Sequence, residues 1–206
     1  MDKVDLKREQ RALYAPPTGR WVEVTVPPMR YLAVDGQGNP ETAQAYQDAV
    51  AALFTAAYAA KFASRQQLGR DYVVLPLQGL WWAEDMSTFR TREKDCWSWR
   101  MLIRQPDWLT DEILTAAIDH AARKGAAAGG HLQIVTLDEG RCVQTLHVGS
   151  YDDEGPTLTD LHDRYLPAHH LSPTGQHHEI YLSDARRTAP AKLRTILRQP
   201  VVDTAP

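Results

Sequence analysis

Residues 177–179 read His177-His178-Glu179, inside the stretch HHEIYL whose composition is otherwise that of a strand. In a strand, His177, Glu179 and Tyr181 point to one face and His178, Ile180 and Leu182 to the other. The second set is mostly apolar and fits against covering helices, so the first faces the open side of the sheet. An acid there, among aromatic rings, loses solvation and holds its proton more tightly unless a cation or hydrogen-bond donor compensates. Such a carboxylate can activate a water as general base or attract a cationic aromatic ligand. A plainer alternative stays open: Glu179 solvated and paired with Arg186 or Arg187.

Other chemistries find less support. His162, His169, His170, His177 and His178 crowd into a short span. Yet the chain has no HExxH and no paired CxxC, and adjacent strand histidines point apart, so no metal site is expected. Ser183-Asp184 lies at a strand end without a GxSxG elbow. Cys96 and Cys142 sit in strand patterns and read as reduced thiols. Gly36-Gln37-Gly38-Asn39-Pro40 superficially resembles a phosphate loop, but Pro40 follows and no third glycine arrives in step, so it reads as a turn. No cofactor is expected. Six tryptophans and eight tyrosines stand against three phenylalanines. Trp81, Trp82, Trp97, Trp99, Tyr72, Tyr151 and Tyr181 recur near strand ends. Some must be core, while others line a ligand pocket with Glu179 as its polar anchor.

The elements that must position these residues follow from periodicity. The 206 residues are 43% apolar and 24% charged, with a net charge of −3. That balance gives no reason to expect nucleic acid or an anionic membrane as partner. No apolar run approaches the ~20 residues of a membrane helix, and the charged N-terminus is not a signal peptide, so a cytoplasmic location is expected. Residues 1–20 read as a tail or short helix, and 21–206 as one domain. Strands are expected at 21–26 and 29–35. A helix follows at 41–66, with Tyr46, Val50, Leu53, Phe54, Ala57 and Tyr58 as its core stripe. A strand at 71–80 leads to one around 96–104 whose Trp97, Trp99, Met101 and Ile103 share a face. Thr110 caps a helix at 111–124. Residues 131–136 and 141–149 read as a hairpin about Asp138-Glu139-Gly140. A helix at 157–166, a strand at 177–182 and a final strand or short helix complete the chain. The segments YLAVDGQGNPETAQAY and TLHVGSYDDEGPTLTDLHDRY repeat the order strand, glycine turn, proline, helix. The chain therefore reads as α+β, with two strand–helix–strand–strand modules at about 21–108 and 109–206. They are expected to build one curved antiparallel sheet, with helices on one face and a ligand groove on the other.

Through HHEIYLSDARRTAPAKLRTILRQPV, LQGLWW and LHVGSYDDEGPTLTDLH, the sequence resembles the GyrI-like small-molecule-binding family over roughly residues 20–202. It is closest to the free-standing branch, not to regulators that carry a fused helix-turn-helix. The resemblance implies pseudo-two-fold symmetry between the modules, a groove between them and a functional glutamate there, matched by Glu179. It also implies Trp82 and Trp99 as stacking walls, with Tyr72, Tyr151, Tyr181, Trp81 and His177 around them. Relatives bind bulky lipophilic cations and dyes. Some free-standing members are similar to hydrolases that open the cyclopropane ring of DNA-alkylating natural products and so detoxify them. The implied partner is a bulky aromatic or cationic small molecule. In the enzymatic reading Glu179 is the base, and Tyr72 or Tyr181 stabilises the leaving oxyanion. In the alternative reading the same site only sequesters aromatic cations. Gln78 departs from the resemblance, since that branch is expected to carry an acid there.

Overall fold

The computed structural model describes residues 2–85, 88–91 and 93–204. In chain order the elements begin with β1 (Lys3–Val4), α1 (Leu6–Glu9), α2 (Arg11–Tyr14), β2 (Val22–Val26) and β3 (Met29–Gln37). Then come α3 (Gln44–Gln67), β4 (Asp71–Tyr72), β5 (Leu77–Trp82), α4 (Thr88–Thr91), β6 (Ser98–Arg104) and α5 (Asp111–Arg123). The chain ends with β7 (Gln133–Leu137), β8 (Gly140–Val148), α6 (Gly155–Asp160), α7 (Leu166–Ala168), β9 (Leu171–Pro173), β10 (His177–Tyr181) and β11 (Arg194–Asp203). No described helix is long and apolar enough to cross a membrane.

The chain divides into two compact units, Met1–Glu9 with Pro28–Leu137, and Gln10–Pro27 with Asp138–Pro206. In the first, an antiparallel sheet runs in the order β5-β6-β3-β7. Its helix layer is α3 packed beside α5. The inner face of α3 is made of Ala49, Ala52, Leu53, Ala56 and Ala60, each 0% exposed. Small side chains let the helix approach the sheet closely, so the expected aromatic stripe is displaced and Tyr58 is 47% exposed. The expected strand at 71–80 is broken in two, because Pro76 has no N–H to give a ladder.

The second unit repeats the wiring. Its antiparallel order is β10-β11-β8-β2, with β9 on the far end of β11. Each unit therefore has a strand, a helix and two strands, with the last strand in the middle. The expected strand–helix–strand–strand repeat is present, as α+β architecture. The boundaries of the units differ from 21–108 and 109–206, because α5 packs on α3 and residues 10–27 join the second sheet. The turn at Asp138–Gly140 closes no hairpin: β7 pairs with β3, while β8 pairs with β11 and β2. Residues 10–20 are not a free tail. Leu13 and Tyr14 are buried, Thr18 bridges to Leu146, and Gln144 and Arg198 donate to the carbonyls of Ala12 and Leu13 at 2.7 and 2.8 Å.

The glycine turn after β3 has a packing explanation. A Cβ on Gly36 would stand 2.1 Å from the Trp99 ring. Gly38, at φ +104, takes a conformation that suits glycine, and its carbonyl accepts the Trp99 indole N–H at 3.2 Å. The two glycines thus seat one indole, and the phosphate-loop resemblance has no other content. Gly36→Ala is expected to cost about 1–3 kcal/mol through forced displacement of that ring, measured by urea denaturation against wild type.

Candidate functional site

Alternation along β10 separates two environments. Glu179 pairs across the ladder with Leu197, and Tyr181 with Thr195. Cross-strand partners share a face. Leu197 belongs to the core that includes Val143, Leu161 and Leu166, so this face lies under the helical segment that follows Gly155. The opposite face carries His178 and Ile180, both 0% exposed, and is held to the strap around Ala12 and Leu13. The assignment expected from sequence is thus reversed. Glu179 points toward the helical layer, and His178 toward the N-terminal strap.

On the strap side the polar groups are fully matched. His178 Nδ1 lies 2.9 Å from Glu139 Oε1, and Arg198 Nη1 lies 3.4 Å from Oε2. Arg198 also donates to Gln144 Oε1 at 3.0 and 3.1 Å. Burial alone would raise the Glu139 carboxyl, but His178 and Arg198 overcome it and hold it at about 2. This is a structural ion network, and it accounts for one histidine of the pair.

On the other side Glu179 keeps 14% of its side chain exposed. Tyr181 donates its hydroxyl to Glu179 Oε2 at 2.8 Å. The Tyr151 ring meets the Tyr181 ring edge-on at 5.6 Å. Burial, then the charge of Glu179, Glu154 and Asp184, pushes the Tyr151 phenol up to about 12. His177 Nε2 stands 3.7 Å from Glu179 Oε1. Burial, with His162 and His178 nearby, drops the His177 imidazole to about 3, leaving it neutral at physiological pH. Gln199 lies close enough to favour the charged ring slightly, but neither ring nitrogen has a partner at hydrogen-bond geometry among the described residues. Thr195 Oγ1, on the same face, is likewise buried without one.

A comparison of the repeated units shows why this face is polar. In the first unit one cross-strand row runs Gly36–Trp99–Trp81 and the next Val34–Met101–Gly79. In the second the matching rows are His147–Thr195–Tyr181 and Thr145–Leu197–Glu179. The match is fixed by Gly38 and Gly149, each with positive φ and each donating its N–H to the residue two positions before the central strand member, Trp97 and Leu193. Glu179 thus stands where the first unit has a glycine, and Thr195 where it has an indole. The helical cover is also irregular here. Between α6 and α7 the turn Leu161–Tyr165 is a π-helix, with the Leu166 N–H bonded five residues back to Leu161. Such turns re-aim side chains at functional sites, and this one carries His162.

The other expected site residues divide. Trp99 is 0% exposed and Trp81 5%, both against Tyr46 of α3. Both are core. Tyr72 is 1% exposed, meets Trp108 edge-on at 5.9 Å and sits in the core of α3 and α5. Its ring faces no open space. Trp82 alternates to the other face of β5 and is half-buried. Gln78 is 1% exposed on that same face. A surface hollow of about 520 Å³ beside Tyr58, Phe62 and Lys124 contains none of the expected residues. Sequence reasoning missed Thr195 and Glu139. Threonine in a strand carries no functional signal, and Glu139 sat in what read as a hairpin turn.

The family model of the GyrI-like small molecule binding domain matches residues 22–202. The chain belongs to the GyrI-like family. Among solved structures, a GyrI-like fold recurs in an uncharacterized conserved protein from Listeria innocua, 38% identical, at a TM-score of 0.87 over 97% of this chain and 100% of that one. Two further Listeria innocua structures, each described as a hydrolase, are 36% identical. Their TM-scores are 0.86 and 0.83, over 98% and 97% of this chain and 100% of theirs. No curated protein matches the chain.

The acid limb of stability should report the strap-side network. Glu139 is depressed from its ordinary 4.5 to about 2, so its contribution is full above pH 4.5 and is lost as pH falls toward 2. A displacement of that size corresponds to about 3 kcal/mol. Glu139→Gln is expected to lower stability at pH 7 and to flatten this limb, read from urea midpoints between pH 2 and pH 7.

Proposed function

We propose that this GyrI-like chain is a small-molecule hydrolase with Glu179 as general base. The observation that carries the reading is a carboxylate largely withdrawn from water, bonded to the hydroxyl of one phenol and flanked by another. The hydrolase descriptions of the 36%-identical Listeria innocua structures support it. The proposed substrate is a planar aromatic compound bearing a strained cyclopropane conjugated to a carbonyl, as the family resemblance suggests. Glu179 takes a proton from water as the water oxygen bonds to a ring carbon. The ring C–C bond breaks, and its electron pair passes into the conjugated system to give an enolate or phenolate. That oxyanion accepts a hydrogen bond and then the proton that Glu179 took, relayed through solvent, so one water is added overall and Glu179 is again ionised. With Tyr181 engaged by Glu179 and Tyr72 in the core, Tyr151 is the phenol assigned to the oxyanion. Its raised pKa makes it a hydrogen-bond donor there and not a proton source. Detoxification of alkylating compounds in the cytoplasm is the proposed role.

One observation favours a second reading, sequestration of lipophilic aromatic cations. Tyr151 feels three carboxylates, Glu179, Glu154 and Asp184. Aromatic faces amid negative charge attract cations. Mass spectrometry after incubation with a cyclopropyl dienone separates the two. Hydrolysis yields a product heavier by one water, whereas sequestration returns the compound unchanged. Under the hydrolase reading, Glu179→Gln retains binding and loses turnover by on the order of 10²- to 10⁴-fold. Turnover at the wild-type rate in that variant would remove Glu179 as base.

A further inference from the structure

In the helix layer of the first unit, α3 and α5 pack together and both line a surface hollow of about 520 Å³. That size falls among small-molecule pockets, roughly 300–1,000 Å³. From α3 come Thr55, Tyr58 and Phe62, at the i, i+3 and i+7 spacing that shares one face of a helix. From α5 come His120 and Lys124, four apart and so neighbours on that helix. Ala59, small and half-buried, also lines the hollow and leaves space that a larger side chain would fill. Two aromatic rings face water here. Tyr58 is 47% and Phe62 53% exposed, and their centroids stand 6.4 Å apart at 33°. The chain has only three phenylalanines, and two of them, Phe54 and Phe62, border this hollow. Single exposed apolar residues are ordinary, but adjoining rings around a concavity mark a contact site.

We infer that this hollow is a second small-molecule site, for planar aromatic anions, with a ring laid on Tyr58 and Phe62 and a carboxylate or sulfonate paired with Lys124. The sign of the charge comes from the lining. Lys124 is a cation at neutral pH, and among the described residues that line the hollow none is acidic. The carbonyls that end α5 do not offset this charge, because backbone N–H groups engage them. His120, Ala121 and Ala122 accept from Lys124, Ala126 and Gly125 at 3.0, 3.2 and 3.0 Å. His120 has a ring N–H in each of its protonation states, so it offers a second donor to the same anion. The hollow opens to solvent, where an ion pair alone contributes little, so the rings supply most of the affinity and Lys124 sets the preference. The surroundings of Glu179 have the opposite sign, since Tyr151 there feels three carboxylates. The two sites therefore select different ligands, and the second does not depend on hydrolysis at the first.

The test titrates the full chain with 8-anilinonaphthalene-1-sulfonate and with its uncharged parent, N-phenyl-1-naphthylamine, following fluorescence. Wild type is expected to bind the sulfonate at a single saturable site. Phe62→Ser is expected to weaken both probes on the order of tenfold. Lys124→Gln is expected to weaken the sulfonate about three- to fivefold and to leave the uncharged probe within about 1.5-fold. Both side chains are exposed, so the variants keep the fold, checked by unchanged urea midpoints. Glu179→Gln, in the other unit, is expected to leave sulfonate affinity within about twofold of wild type. No saturable binding by wild type overturns the inference, as does wild-type affinity in Phe62→Ser. Sulfonate affinity unchanged in Lys124→Gln, or lost equally with that of the uncharged probe, overturns the anion preference and with it the site proposed. A larger change in Glu179→Gln places the probe near Glu179 and overturns it too. A wild-type dimer in sedimentation that Phe62→Ser converts to monomer gives the face to a second copy of the chain, with the same consequence.

Discussion

A carboxylate can be placed inside a protein in two ways, and β10 and its neighbours use both. On the strap side Glu139 is neutralised by His178 and Arg198 and has no reactivity left. On the helix side Glu179 receives a phenol hydrogen bond and a neutral imidazole. Removing an ionised group from water costs several kcal/mol unless charge or hydrogen bonds offset it. The first arrangement offsets nearly all of that cost and gains a fixed N-terminal strap. The second engages Glu179 through the Tyr181 hydroxyl and keeps part of the side chain exposed to water. The rest of the second unit follows from keeping these two networks apart, which the two-residue alternation of a strand accomplishes without added residues.

Much of the architecture was legible because periodicity and turn chemistry agreed. The 3.6-residue pattern located α3 and α5, and Thr110, whose hydroxyl accepts from the Ile113 N–H, marked the start of α5. The repeated order of strand, glycine, proline and helix announced the duplication. The failures have physical causes as well. Alternation shows that a strand has two faces but not which layer covers each. Here both are covered, one by helix and one by a strap whose Leu13 and Tyr14 lay in a charged segment that read as a tail. The turn at Asp138–Gly140 had hairpin chemistry, yet pairing is a long-range property. Glu139 is committed to Arg198, 59 residues away.

The candidate site was legible in part for a related reason. Glu179 and Tyr181 stand two apart on a strand, so a shared face and a hydrogen bond between them follow almost from spacing alone. Tryptophans gave no such guidance. Indoles serve cores and ligand sites equally well, and only the Gly36 contact shows that Trp99 fills space instead of lining it. Tyr72 failed for the same reason, since nothing in its neighbours Asp71 and Val73 tells a helix-packed phenol from a ligand-facing one.

The duplication also shows where the two units differ. Both units solve the same packing problem, a helix over the outer three strands of a sheet. The first solves it with bulk: Trp99 and Trp81 fill the row that Gly36 leaves open, and Gly79 follows in the next row. The second puts His147, Thr195 and Tyr181 in the first row and Glu179 in the second. A threonine in place of an indole cannot close the layer, and its hydroxyl stays unsatisfied among the described residues. Tight apolar packing and a polar row compete for the same volume. The first unit fills these rows with indoles, and the second gives the equivalent positions to polar side chains.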